Sequence, residues 1–217
     1  MRLLRVLALR ANGERGMTLV ELLVAMFVLS IVMVIFTNVL GSVQRGVVAQ
    51  DKLSRTLDNA RLAVQQLDRE IRSGNVLYNP ALENNGLASC TGCLPGYTLR
   101  VYTQSNADTR GGYVCVLWQI DGQGQLLTRR WPPLEPGNAT GWRVVATGLV
   151  NRTLPVPEPA FAIDTDPLKG GRTLNVTLAV NEDLTNHAGQ TVRIRAALTG
   201  RNTSYDYPTN VCSTTPA

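Results

Sequence analysis

The sequence predicts an α+β fold: a long N-terminal helix, transmembrane in its first half, packed on a domain of antiparallel strands. Three observations predict it. Met17 to Phe36 reads MTLVELLVAMFVLSIVMVIF, an almost unbroken apolar run. A helical pattern continues from Thr37 to about Ser73. After Asn75, short β-rich runs alternate with turn signals.

The apolar run sets the frame for everything after it. Twenty residues at about 1.5 Å each span roughly 30 Å, enough to cross the hydrocarbon core of a bilayer. Only Thr18, Glu21 and Ser30 interrupt it. Arg2, Arg5, Arg10 and Arg15 precede it, opposed by Glu14 alone. The positive-inside rule therefore places residues 1–16 in the cytoplasm and the C-terminal part across the inner membrane. The protein is expected to be single-pass. An ordinary secretory signal has a shorter apolar region and a small-residue cleavage site. Gly41 and Ser42 offer only a poor version of that site.

The net charge of +5 is concentrated in this leader. Without the four arginines and Glu14, 17 basic and 15 acidic residues remain, a net of +2. So balanced a remainder argues against a nucleic-acid binder, whose basic residues cluster on the folded part. Hydrophobic residues at 44% and charged residues at 17% fit a folded chain and exclude a disordered one.

Glu21 is the residue a plain anchor does not explain. A carboxylate within the first turns of a membrane helix costs roughly 3 kcal/mol on insertion scales unless it finds a cation or water. Cleavage between Gly16 and Met17 would expose an amino group four residues before it. That amine neutralises Glu21 within one chain or across an assembly, and in the second case the unmet charge drives helices together.

Arg15 to Met26, R-G-M-T-L-V-E-L-L-V-A-M, resembles the leader of type IV prepilins and type II secretion pseudopilins. The resemblance implies a membrane prepilin peptidase that cuts after Gly16 and methylates the new N-terminus at Met17. It further implies that Glu21 guides docking onto other pilin or pseudopilin subunits and that an inner-membrane assembly platform is a partner. Met17 departs from the phenylalanine most common there. The implied organisation is a cleaved leader over 1–16, a transmembrane helix over 17–40, an amphipathic extension over 41–74 and an exported β-rich domain over 75–217.

Beyond the membrane, Leu53, Leu57, Ala60, Val64, Leu67 and Ile71 recur every three or four residues and form one helical stripe. It is expected to pack on the protein's own sheet. Asp51, Lys52, Arg55, Asp58, Arg61, Asp68 and Arg69 lie off it. Gly41 and Gly46 weaken the helix by about 1 kcal/mol each, and Ser73-Gly74-Asn75 ends it.

Residues 75–96 read as loop. Strands are expected at Tyr97–Thr103, Gly112–Ile120, Leu126–Trp131, Trp142–Thr147, Ala160–Asp164, Leu174–Asn181 and Val192–Leu198. Asp121 to Gly124 reads as a hairpin turn, and the prolines at 132, 133, 155, 157 and 159 break strands. Gly122 to Trp131, Val145 to Val150 and Thr199 to Asn202 resemble J-type minor pseudopilins of type II secretion and the related W-type minor pilins.

The four cysteines, Cys90, Cys93, Cys115 and Cys212, all follow the apolar run, and an even number in an exported domain points to disulfides. Cys90–Cys93 with Cys115–Cys212 is the preferred pairing, since the second ties the C-terminal tail to a strand. The other two pairings stay open. Zinc at Cys90-x-x-Cys93 lacks two further ligands, and a redox role lacks a βαβ context. No metal or cofactor is expected. Asp164-Thr-Asp166 is a weak calcium candidate, read as an exposed turn.

His187 is the only histidine, in a polar turn without a nucleophile motif, so no enzyme is expected. The function expected is a non-enzymatic minor pilin or pseudopilin that assembles into, and primes, a type IV pilus-like or type II secretion filament. The alternative is a membrane-anchored surface binding module serving adhesion or DNA uptake.

Overall fold

A computed structural model describes residues 17–76, 79–83, 92–104, 112–164, 173–181, 183–185, 190–200 and 211–216. The chain divides into two compact units, Met1–Val48 and Ala49–Ala217. One helix, α1 (Leu19–Arg72), contributes to both.

In the first unit, the described residues form the apolar part of α1. Its large side chains stand uncovered on every side: Leu19, Phe27 and Phe36 are 75%, 68% and 59% exposed. Such a helix is long and apolar enough to cross a membrane. Thr37 returns its hydroxyl to the carbonyls of Met33 and Val34 and so hides its polarity within the helix.

The second unit holds the core. Strands β1 (Gly74–Val76), β2 (Thr98–Thr103), β3 (Val114–Ile120), β4 (Leu126–Trp131) and β5 (Arg143–Ala146) form one antiparallel sheet in sequential order. Strands β6 (Phe161–Ile163), β7 (Thr173–Val180) and β8 (Val192–Thr199) form a second. The α+β class therefore holds, with two sheets where one was expected. The reason lies between β5 and β6. Pro155, Pro157 and Pro159 cannot extend a ladder, so β6 pairs with β7, while Leu149, in the segment after β5, bridges to Val180 of β7.

Every expected strand forms, within two residues of its expected ends. Within the span 75–96 read as loop, β1 and a short 3-10 helix at Pro80–Leu82 form. Gly74 pairs with Thr103, and a Cβ on it would lie 2.3 Å from the Tyr102 carbonyl oxygen. The glycine that stops the helix also lets the chain enter the sheet at once.

Ala60, Leu67 and Ile71 are buried, and Leu53, Leu57 and Val64 pack against the same core, so the stripe does face the sheets. Opposite them lie Leu99, Val101, Val116, Trp118 and Ile120 of the first sheet and Phe161, Leu174, Val176 and Leu178 of the second. Alternation along β2 and β3 sends Tyr102, Cys115 and Leu117 to the other face. There they join Trp131, Cys93, Val211 and Cys212 in a smaller core roofed by the C-terminal tail.

The tail is held by specific bonds. Cys115 and Cys212 form a disulfide with Cα atoms 5.8 Å apart. Arg100, fully buried, pairs with buried Glu83 through two parallel bonds of 3.0 and 2.6 Å. Its remaining nitrogen donates to the carbonyls of Cys212 and Ser213, 3.0 Å each. A buried ion pair recovers its desolvation cost only when such further bonds are made. Cys93 is also disulfide-bonded. Cys90, the partner expected for it, lies outside the described residues.

Candidate functional site: the helix start

Two regions hold candidate functional side chains: the start of α1 and the buried carboxylate near its end. Met17 precedes the first helical residue and is 67% exposed. Thr18 caps the helix. Its hydroxyl accepts from the Glu21 N–H at 3.3 Å, and its carbonyl accepts the first helical bond, from Leu22 at 3.1 Å. Glu21 thus occupies the third helical position, where a carboxylate is favoured by the unsatisfied N–H groups and the helix dipole. The pattern Thr18-x-x-Glu21 is a capping box in the sequence and was the signal available for this. The bond seen is the one from the Glu21 N–H to Thr18, and the Glu21 carboxylate lies at the positive end of the helix dipole. Gly16, on the other side of the expected cut, lies outside the described residues, as do His187 and Asp166.

Glu70 was not anticipated. It sits three residues after Leu67, on the buried side of α1, and is 1% exposed. Trp118 Nε1 donates to one of its oxygens at 2.7 Å. Arg130 and the Gln66 amide donate to the other. The Glu70 carbonyl accepts from Thr103 at 2.9 Å. An acid at stripe spacing was the visible sign that the helix meets a polar partner in the sheet.

Burial moves three titrations in the second unit. It raises the Tyr102 phenol above 10.0, assisted by neighbouring Tyr113. It also raises Tyr97, where Arg152 opposes the shift and Glu158 adds to it. The Arg129 guanidinium, packed 4.3 Å from the Trp142 ring centre, is pushed down by burial.

Residues 11–37 match the family model described as the prokaryotic N-terminal methylation motif. The chain matches no curated protein and no solved structure. The matched segment contains Gly16, Met17 and Glu21 and ends inside the apolar part of α1. The motif indicates a type IV pilin-like subunit, a structural role, and implies processing by a prepilin peptidase and assembly with other pilins. With an uncovered apolar helix behind it, it fits a single-pass membrane anchor.

Proposed function

We propose that this chain is a minor pilin or pseudopilin, non-enzymatic, that enters and primes a type IV pilus-like or type II secretion filament. The leader stays in the cytoplasm and the β-rich domain lies across the inner membrane. The prepilin peptidase cuts between Gly16 and Met17 and Met17 is N-methylated. The new amine and Glu21 then supply opposite charges for docking on neighbouring subunits at the assembly platform.

The observation that carries this reading is the methylation motif placed on a helix whose apolar surface is covered by none of the described residues of its own unit. A membrane solvates that surface, and so does a bundle of like helices. The run from Gly122 to Trp131 supports the J-type or W-type minor class.

The capping geometry makes the test sharp. Glu21→Gln keeps a residue able to close the capping box but removes the charge, whereas Glu21→Ala removes both. In cells making the other filament subunits, both variants should be cleaved normally and both should fail to enter sheared filaments. Normal incorporation of the glutamine variant would reduce Glu21 to a cap and overturn the docking role.

A further inference from the structure

A groove at the edge of the first sheet brings four arginines together, and two of them, Arg69 and Arg143, are exposed. It encloses about 500 Å³ between α1, at Gln66 and Arg69, and the β4–β5 margin. Arg69, Arg129, Arg130 and Arg143 all line it, and none of its ten lining residues is acidic. Glu70 answers Arg130 alone. Arg143 donates to the Gln66 side-chain amide oxygen at 2.8 Å. Among the described residues, no carboxylate lies within ion-pair distance of Arg69 or Arg143.

A second observation points the same way. Thr128 lines the groove, is 2% exposed, and its hydroxyl has no hydrogen-bond partner among the described residues. Buried hydroxyls are nearly always satisfied, so one left without a partner beside the groove calls for an explanation. A third concerns the backbone. β5 is the last strand of its sheet, and no described strand lies beyond it. Trp142 and Val144, at the start of β5, are 42% and 49% exposed. An open edge beside side-chain pockets is the arrangement that accepts an added peptide strand.

Guanidinium groups recognise carboxylates and phosphates through paired bonds. The space is too large for one small anion and falls in the range of ligand clefts. A nucleic acid would need a longer basic track, and the charge beyond the leader is nearly balanced. We propose that this groove binds an extended acidic segment of another protein, its carboxylates held by Arg69 and Arg143 and its backbone added along β5. The site does not depend on the filament reading, since it lies wholly in the second unit.

The test uses the full-length chain in neutral detergent. The probe is a fluorescent decapeptide alternating Asp or Glu with Val or Thr. Saturable binding, weakened about tenfold or more by R69Q/R143Q and by added salt, is expected. Both arginines are exposed, so the double variant should keep the parent's urea midpoint. Equal binding of the Asn/Gln version of the peptide, or unchanged binding by R69Q/R143Q, would overturn the site. So would no binding at millimolar peptide. Stronger binding of inorganic phosphate or of a short single-stranded DNA would overturn the peptide assignment. An acidic peptide with proline at alternate positions keeps its charge but cannot pair along β5. It should bind more weakly, and equal binding would remove the strand addition.

Discussion

Replacing Glu70 by alanine should cost the second unit about 3 kcal/mol of stability. Two contributions build that figure. Trp118 is fully buried, and its indole N–H would lose an acceptor 2.7 Å away. A buried donor left alone costs about 1–3 kcal/mol. Arg130 would lose its carboxylate, but it is 27% exposed. Water can therefore replace part of that contact, and the loss falls well below the roughly 3–5 kcal/mol of a fully buried pair. Glu70→Gln keeps an acceptor for Trp118 and should cost only about 1 kcal/mol. All three tryptophans lie beyond α1, so urea unfolding in neutral detergent can be followed by their fluorescence. Trp118→Phe keeps an aromatic side chain, smaller than the indole, and removes the N–H. The double variant should recover about 1 kcal/mol relative to additivity, because Trp118 and Glu70 share one bond. A loss below about 0.5 kcal/mol for Glu70→Ala, or strict additivity with Trp118→Phe, would refute the proposed coupling of helix and sheet.

Three further outcomes are expected. Cys115 and Cys212 are separated by 97 residues. A loop of that size stabilises by up to about 4.7 kcal/mol in the chain-entropy account. The C115A/C212A variant should therefore unfold at clearly lower urea, and an unchanged midpoint would contradict the role of the bridge. Gly124 has φ +72°, and a Cβ there would sit 2.6 Å from the Leu149 carbonyl oxygen. Gly124→Ala should cost about 2 kcal/mol in the same assay, against nothing measurable if the turn adapts freely. Tyr97 and Tyr102 have phenols raised above 10.0 by burial. The unfolded chain releases those protons first, so stability is full below pH 10.0 and falls as pH rises through the folded values. Tyr102→Phe should flatten that fall, and an identical slope would contradict the shift.

What the sequence disclosed follows from periodicity and from chain breakers. The stripe from Leu53 to Ile71 located the buried face of α1, because burial along a helix must repeat every three or four residues. The turn at Asp121 was legible too. Its carboxylate accepts from Gln123 and Gln125 N–H at 2.9 and 2.8 Å, the short-range bonding that makes Asp a turn former. The motif from Arg15 to Met26 was legible because its residues are contiguous in sequence, and it falls inside the span 11–37 that the family model matches. Contacts across long separations were not. Arg100 meets Glu83 and the carbonyls of Cys212 and Ser213, and nothing near residue 100 announces partners more than a hundred residues away. The division into two sheets depends likewise on which strands pair. The prolines before β6 hinted at a break without saying where the chain would resume pairing. The groove beside β5 draws on α1, β4 and β5, so its four arginines looked scattered until the fold placed them together.

The central claim concerns the start of the mature chain, and one measurement reaches it directly. The protein should be produced in cells that carry a prepilin peptidase, and its intact mass and N-terminal peptide determined. Cleavage after Gly16, with a single methyl group on the Met17 amine, is the predicted result. A chain that keeps residues 1–16 beside an active peptidase, or one that begins elsewhere, such as after Gly41, would contradict it.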